Sequence, residues 1–429
     1  MTFIKTSFLN GIAVLIRMGC MLALNKVLAI YVGPSGYAVV GQLQNAIQMI
    51  STIASGAVTT GVTKYTAEYF DNEEQQKTLW RTAGTIAIVG SLLTSILMVV
   101  FSKSLAVFFL EDDTLGYVFI WFSVSLLFLV LNTLLLSVIN GKKEVRCYVL
   151  SSIVGSILSL LITSLLSFYM GLSGALIGLT VYQSLSFIAT AYLVSRLSWF
   201  HISNFFGTID FTIAKKLLKY TAMAITSAIC VPLSYIYIRN YIGDSLGWDY
   251  AGYWEAANRL SNAYLMFLIS TLSVYYIPRI SEIKENKEIV SEVKKVLLLV
   301  FPTSIILSVS VFIFKEQVVS LLFTKQFMVL NELLPWQLFG DVIKINAWVL
   351  ACIMLGKNMY KTFIITEVFF SALYCFFITL LVPAYGFKAA SMSYALNHIL
   401  YFILMVFVFV YWLNCNSSKK NGEIKVEVF

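Results

Sequence analysis

Apolar runs of about 20 residues, long enough to cross the hydrocarbon core of a bilayer as a helix, recur from one end of this 429-residue chain to the other. No other feature restricts the fold as strongly. Backbone N–H and C=O groups find no water in lipid, so a spanning segment must bond internally as a helix or close into a barrel. A barrel would show short alternating strands, whereas these runs are continuous. The chain therefore reads as an all-α, multi-pass membrane protein. Composition agrees: 59% of residues are hydrophobic and 12% charged, about half the charged fraction usual in soluble domains.

Twelve transmembrane helices are expected, at 8–32, 36–60, 82–104, 115–139, 147–170, 173–195, 214–240, 250–278, 293–314, 332–356, 360–383 and 388–413. Basic residues segregate between them. One set of loops holds Lys5; Lys64, Lys77 and Arg81; Lys142, Lys143 and Arg146; Arg196, Lys215, Lys216 and Lys219. It continues with Arg279, Lys284, Lys287, Lys294 and Lys295; Lys357 and Lys361; and Lys419, Lys420 and Lys425. The other set holds only Lys103, Arg239, Lys315, Lys325 and Lys388. Basic loops stay on the cytoplasmic side, so both termini of this inner-membrane-type protein are expected in the cytoplasm. The net charge of +8 then needs no nucleic-acid partner to explain it. Trp80, Trp199, Trp248, Trp336 and Trp412 fall near expected span ends, where indoles anchor a helix at the interface. Arg17 interrupts the first apolar run, which marks a retained span and not a signal peptide. The six cysteines form no CxxC pair and only two histidines occur, so no metal centre is expected.

The two halves of the chain resemble each other. "GPSGYAVVGQL" (33–43) matches "DYAGYWEAANRL" (249–260), "INGKKEVR" (139–146) matches "MLGKNMYK" (354–361), and "YMGLSGA" (169–175) matches "AYGFKAA" (384–390). Three matches in order at one offset indicate a duplicated unit. Six spans per unit, an even number, give both copies the same orientation. The expected organisation is an N-terminal six-helix lobe at 1–195, a linker at 196–213, a homologous lobe at 214–413 and a cytoplasmic tail at 414–429, the lobes enclosing a central cavity. Such duplicated bundles suit a transporter.

Charges inside the spans mark that cavity. Arg17, Glu255, Arg259, Asp341, Lys344 and Glu367 fall well within them. Each would cost about 2.5–3.5 kcal/mol facing lipid at a helix centre, so they must face one another or water. Glu255, Arg259 and Asn262 form one helical stripe; Gln337, Asp341 and Lys344 form another; Gln42 and Asn45 belong to a third. The competing interpretation for Glu255–Arg259 and Asp341–Lys344 is pairing along one helix that lowers their burial cost. Arginine's planar fork suits a phosphate, and buried carboxylates suit a coupling cation. Residues alone lead to an amphipathic or anionic export substrate. No P-loop or catalytic grouping is present, so the chain is not expected to be an enzyme.

With the repeat, "GVTKYTAEYFDN" (61–72), "VYYIPRIS" (274–281) and "WQLFGDVIK" (336–344), the chain resembles the bacterial flippases of lipid-linked oligosaccharides. These form the polysaccharide-transporter branch of the multidrug/oligosaccharidyl-lipid/polysaccharide exporter superfamily, which includes O-antigen translocases and lipid III flippases. The resemblance implies two six-helix lobes around a V-shaped cavity. It implies passage of an undecaprenyl-pyrophosphate-linked repeat unit from the cytoplasmic to the periplasmic leaflet by alternating access. It also implies a cationic substrate site, matched here by Lys64, Asp341 and Lys344. The full expected set is Arg17, Lys64, Arg259, Lys344, Gln42, Asn45 and Asn262 for substrate, with Glu255, Asp341 and Glu367 as coupling or charge partners. No cofactor is expected beyond a coupling proton or sodium ion. Membrane lipids and the polymerase and chain-length regulator of such a pathway are the expected partners. "WEAANR" departs from the small or hydroxyl residues of lipid III flippases after the tryptophan of the eighth span. It tilts the expectation towards an O-antigen unit, with lipid III, or cation-coupled drug export, as the alternatives.

Overall fold

A computed structural model describes residues 3–357 and 359–420, and all regular structure among them is helical. The chain divides into two compact units, Met1–Ile236 and Tyr237–Phe429. The first contains α1 (Phe3–Tyr31), α2 (Gly33–Ala54), α3 (Thr59–Glu68), α4 (Glu73–Val100), α5 (Ser102–Leu110), α6 (Gly116–Gly141) and α7 (Val145–Val194). The division falls inside α8 (Phe211–Leu246). The second unit continues with α9 (Trp248–Thr271), α10 (Ile277–Glu282), α11 (Asn286–Ile313), α12 (Lys315–Leu322), α13 (Leu334–Gly356), α14 (Tyr360–Tyr385) and α15 (Ala389–Lys420). A π turn at Leu272–Tyr276 carries α9 into α10.

Local chemistry sets several of the helix starts. Asn72 caps α4 by accepting from the Gln75 amide at 3.1 Å, with Glu73 and Glu74 in the first turn, where the helix dipole favours them. Asp210 caps α8 in the same way, accepting from Thr212 and Ile213 at 2.8 and 3.1 Å. Prolines lie in the first turns of α2 and α13, where their missing N–H costs nothing.

Eight segments of the described residues are long and apolar enough to cross a membrane. Two of them, Val145–Val194 with 50 residues and Tyr360–Cys415 with 56, far exceed one crossing, because about 20 helical residues suffice. Each is broken by one glycine. Gly171 has φ 56°, ψ −130° and Gly386 has φ 61°, ψ −143°, a region open essentially to glycine alone. The helices α2 and α9, both expected as spans, fall outside the eight because their polar stripes lower their apolarity.

Two pairs of glycines matched in sequence are alike in structure. Gly171 and Gly386 take the same backbone conformation at matching positions. Gly141, ending α6, lies against α3: a Cβ there would stand 2.6 Å from Thr66 Cβ. Its match Gly356, ending α13, lies against α10: a Cβ there would stand 2.9 Å from Ile280 Cγ2.

In the first unit α6 packs on α7 and α4, and α1 runs along α7. In the second, α13 is the inner helix, packed by α15, α11 and α9. The segment after α7 folds onto α4. Thr85 Oγ1 and Gly207 exchange hydrogen bonds of 3.0 and 3.2 Å, and the Asp210 amide donates to Thr82 at 3.1 Å. Phe205 stacks on Trp80 at 5.9 Å. Trp80, expected as an interfacial anchor, is instead fully buried in this packing. The expected tail is helical to Lys420; beyond it, including Lys425, the chain lies outside the described residues, as do the side chains of Lys5, Lys219, Lys419 and Lys420.

Candidate functional site

The polar residues of α9 gather in the second unit. Glu255 stands between two arginines: its Oε1 accepts from Arg259 Nε at 2.8 Å and its Oε2 from Arg239 Nη2 at 2.5 Å. Arg259 lies one turn on along α9, while Arg239 reaches across from α8 and lies over the Trp254 ring at 5.4 Å. Arg239 is 1% exposed. This corrects the expectation that placed it in an outer loop, since α8 runs on to Leu246. Two guanidiniums thus share one carboxylate.

A second network centres on Asp341 of α13, which is wholly buried. Tyr264 donates to its Oδ2 at 2.5 Å and Tyr394 to its Oδ1 at 2.7 Å. Lys344, one turn along, is half-buried with its ammonium 5.4 Å from the Tyr394 ring, and His398 packs edge-on to that ring at 4.5 Å. Gln337 Nε2 donates to Ser261 at 3.1 Å and lies 3.4 Å from Asn258 Oδ1. The buried polar face of α9 towards α13 thus uses Asn258 and Ser261, while Asn262 is exposed. Glu367 of α14 is half-buried and within electrostatic reach of Tyr401.

The remaining expected residues belong to the first unit. Gln42 is buried on α2 and Asn45 half-buried beside it, with its side-chain nitrogen covered and unbonded. Arg17 is exposed on α1, and Lys64 is exposed on α3 with its ammonium 5.2 Å from the Tyr65 ring. Nearby, Lys216 donates to the Tyr69 hydroxyl at 2.9 Å, and that bond raises its pKa above the usual lysine value. The structure therefore joins Glu255 to Arg259 and sets Asp341 beside Lys344. It adds Arg239, Tyr264, Tyr394 and His398, which sequence reasoning passed over. Arg239 did carry a signal, because it sits in the apolar run "SYIYIRNYIG".

A family model for polysaccharide biosynthesis proteins matches residues 3–284. The chain belongs to this polysaccharide biosynthesis protein family. Two relatives of similar length, the lipid III flippases of Escherichia coli K12 and Shigella flexneri, are each 29% identical to this family member over 413 residues, 96% of this chain and 99% of theirs. Among solved structures, an inward-facing MATE multidrug transporter of the MOP superfamily superposes with a TM-score of 0.74 at 12% identity, covering 94% of this chain and 99% of that one. A Pyrococcus furiosus MOP superfamily transporter, described as having a binding pocket of reverse polarity, gives 0.69 at 14% identity, covering 96% of each chain. At that identity the likeness is one of fold.

Proposed function

We propose that this chain is a flippase that moves a polyprenyl-pyrophosphate-linked oligosaccharide across the bacterial inner membrane. It is a carrier and not a catalyst. The observation that carries this reading is identity to lipid III flippases running through nearly the whole length of both chains. The same observation favours lipid III over the O-antigen unit towards which the sequence leaned, so the alternative becomes the main reading. We further propose twelve crossings in two homologous six-helix lobes. Splitting the long segments at Gly171 and Gly386 and adding α2 and α9 to the apolar helices supports that count. Both termini then lie on the cytoplasmic side, in keeping with the lysine and arginine distribution.

In this reading the polyisoprenoid tail stays in the bilayer while the headgroup passes by alternating access. Arg17, Lys64, Arg259 and Lys344 supply positive charge for the pyrophosphate, and Gln42, Asn45 and Asn262 supply hydrogen bonds for the sugars. Glu255 holds the two arginines in place. Asp341 and Glu367 are the carboxylates left for a coupling proton or sodium ion. The test is complementation of a bacterium lacking its lipid III flippase and any substitute. Restored surface polysaccharide supports the reading. Restoration only in a strain lacking its O-unit flippase returns the substrate to the O-antigen unit, and restoration in neither refutes it.

A further inference from the structure

The glycine-lysine turn occurs twice, and its two copies use their lysine differently. In the second unit Lys357 Nζ donates to the Ile283 carbonyl at 2.5 Å, tying the end of α13 to the end of α10. Burial there lowers its pKa. In the first unit the matching Lys142 donates to Gln76 Oε1 at 2.8 Å. Its ammonium stands 5.6 Å from the Trp80 ring and 5.8 Å from the rings of Trp199 and Phe70. It also faces a cavity of about 300 Å³ lined besides by Glu73, Gln76, Lys77, Trp80, Ser198, Trp199 and His201.

The lining selects the ligand by charge. Lys77 is already paired, 3.6 Å from Glu73 and 3.3 Å from Glu74. Among the described residues no carboxylate pairs with Lys142. Lys142 therefore brings to the cavity an ammonium that no carboxylate bonds, although Glu73 and Glu74 together balance the charges of Lys77 and Lys142; the Ser198 hydroxyl, the Glu73 carboxylate and the His201 imidazole line the cavity with it. Trp80 is closed off as a stacking platform, because Phe205 stacks on it at 5.9 Å and Trp199 lies 5.3 Å away. Trp80 therefore offers no free face to a sugar ring. The cavity adjoins the first turn of α4 and the turn between α6 and α7. Lipid headgroups lie at such helix ends, and basic pockets between helices bind anionic ones.

We propose that this cavity binds the phosphodiester headgroup of an anionic glycerophospholipid. Lys142 faces the phosphate, and Glu73 and Ser198 engage the headgroup hydroxyls. The site is separate from the transport residues assigned above, so it can stand or fall independently of them.

The test uses the purified full-length protein in neutral detergent. Dihexanoyl-phosphatidylglycerol, dihexanoyl-phosphatidylcholine and inorganic phosphate are titrated separately, with binding read by native mass spectrometry and tryptophan fluorescence. Phosphatidylglycerol should bind at least tenfold more tightly than phosphatidylcholine. Lys142→Gln should weaken it at least tenfold, and so should Ser198→Phe, which fills the cavity from an exposed position and keeps the test open if Lys142→Gln does not fold. Lys357→Gln, at the matching turn, should leave binding unchanged. Equal binding of the two lipids, or full binding by the Ser198→Phe variant, overturns the proposal. Inorganic phosphate binding as tightly as phosphatidylglycerol overturns the lipid assignment and makes the cavity a site for soluble phosphate.

Discussion

Replacing Glu255 with glutamine removes the anion between Arg239 and Arg259 while nearly keeping its shape. Arg239 is 1% exposed and Arg259 9%, and guanidinium groups keep their charge in proteins. The variant therefore buries two positive charges without the carboxylate that bridges them. Removing one member of a buried ion pair costs about 3–5 kcal/mol, a large share of a net stability of about 5–15 kcal/mol. Arg259→Met should be milder, because the 2.5 Å bond from Arg239 to Glu255 survives; losing one charged hydrogen bond costs about 1.5–3 kcal/mol. Combining Arg239→Met with Glu255→Gln removes one charge of each sign, so the double variant should be more stable than the sum of its single losses by about 0.5–3 kcal/mol. Reversible unfolding in mixed micelles, followed by tryptophan fluorescence, measures the parent, the three single variants and the double variant. The reasoning fails if Glu255→Gln lies within about 0.5 kcal/mol of the parent, the range of an ordinary surface substitution, or if the two losses simply add.

Three further outcomes are expected. Gly340→Ala places a Cβ 2.6 Å from Tyr394 Cδ1 and 3.2 Å from the Ala395 backbone. It should wedge α13 from α15, cost about 1–3 kcal/mol and reduce transport; unchanged stability in the same unfolding assay would contradict the packing. Gly171→Ala and Gly386→Ala should each cost about 1–3 kcal/mol, by similar amounts because the two positions share one conformation, as thermal unfolding would show. Lys357 has a lowered pKa from burial, so the unfolded chain binds its proton more readily than the folded one. Stability should therefore rise as pH climbs from the lowered folded value to the unfolded value near 10.4. Relative to Lys357→Met, the parent should gain melting temperature between pH 7 and pH 10; a parallel pair of pH curves would contradict this.

The long apolar helices were legible because continuous apolarity is a local property, and "YMGLSGA" and "AYGFKAA" marked the two breaks that the backbone shows at Gly171 and Gly386. The Glu255–Arg259 pair was legible too, because four residues on a helix bring side chains together. Other features needed tertiary information. Tyr264 and Tyr394 reach Asp341 from 77 and 53 residues away in sequence, and a tyrosine in an apolar run gives no sign of whether its hydroxyl points to a carboxylate or to the interface. Arg239 was misplaced because an arginine near an expected span end can snorkel to water, and only the extension of α8 to Leu246 shows that it turns inward. Trp80 misled for a related reason: indoles are common both at interfaces and in tight cores, and the segment that buries it begins more than a hundred residues later.

The most direct measurement reconstitutes the purified protein in vesicles that carry lipid III on one leaflet and follows its arrival on the other with a membrane-impermeant glycosidase. Protein-dependent transfer, slowed at least tenfold by Arg17→Ala and Lys344→Ala in well-folded variants, is the expected result. Equal transfer in protein-free vesicles, or transfer untouched by either substitution, would contradict flipping through these charges.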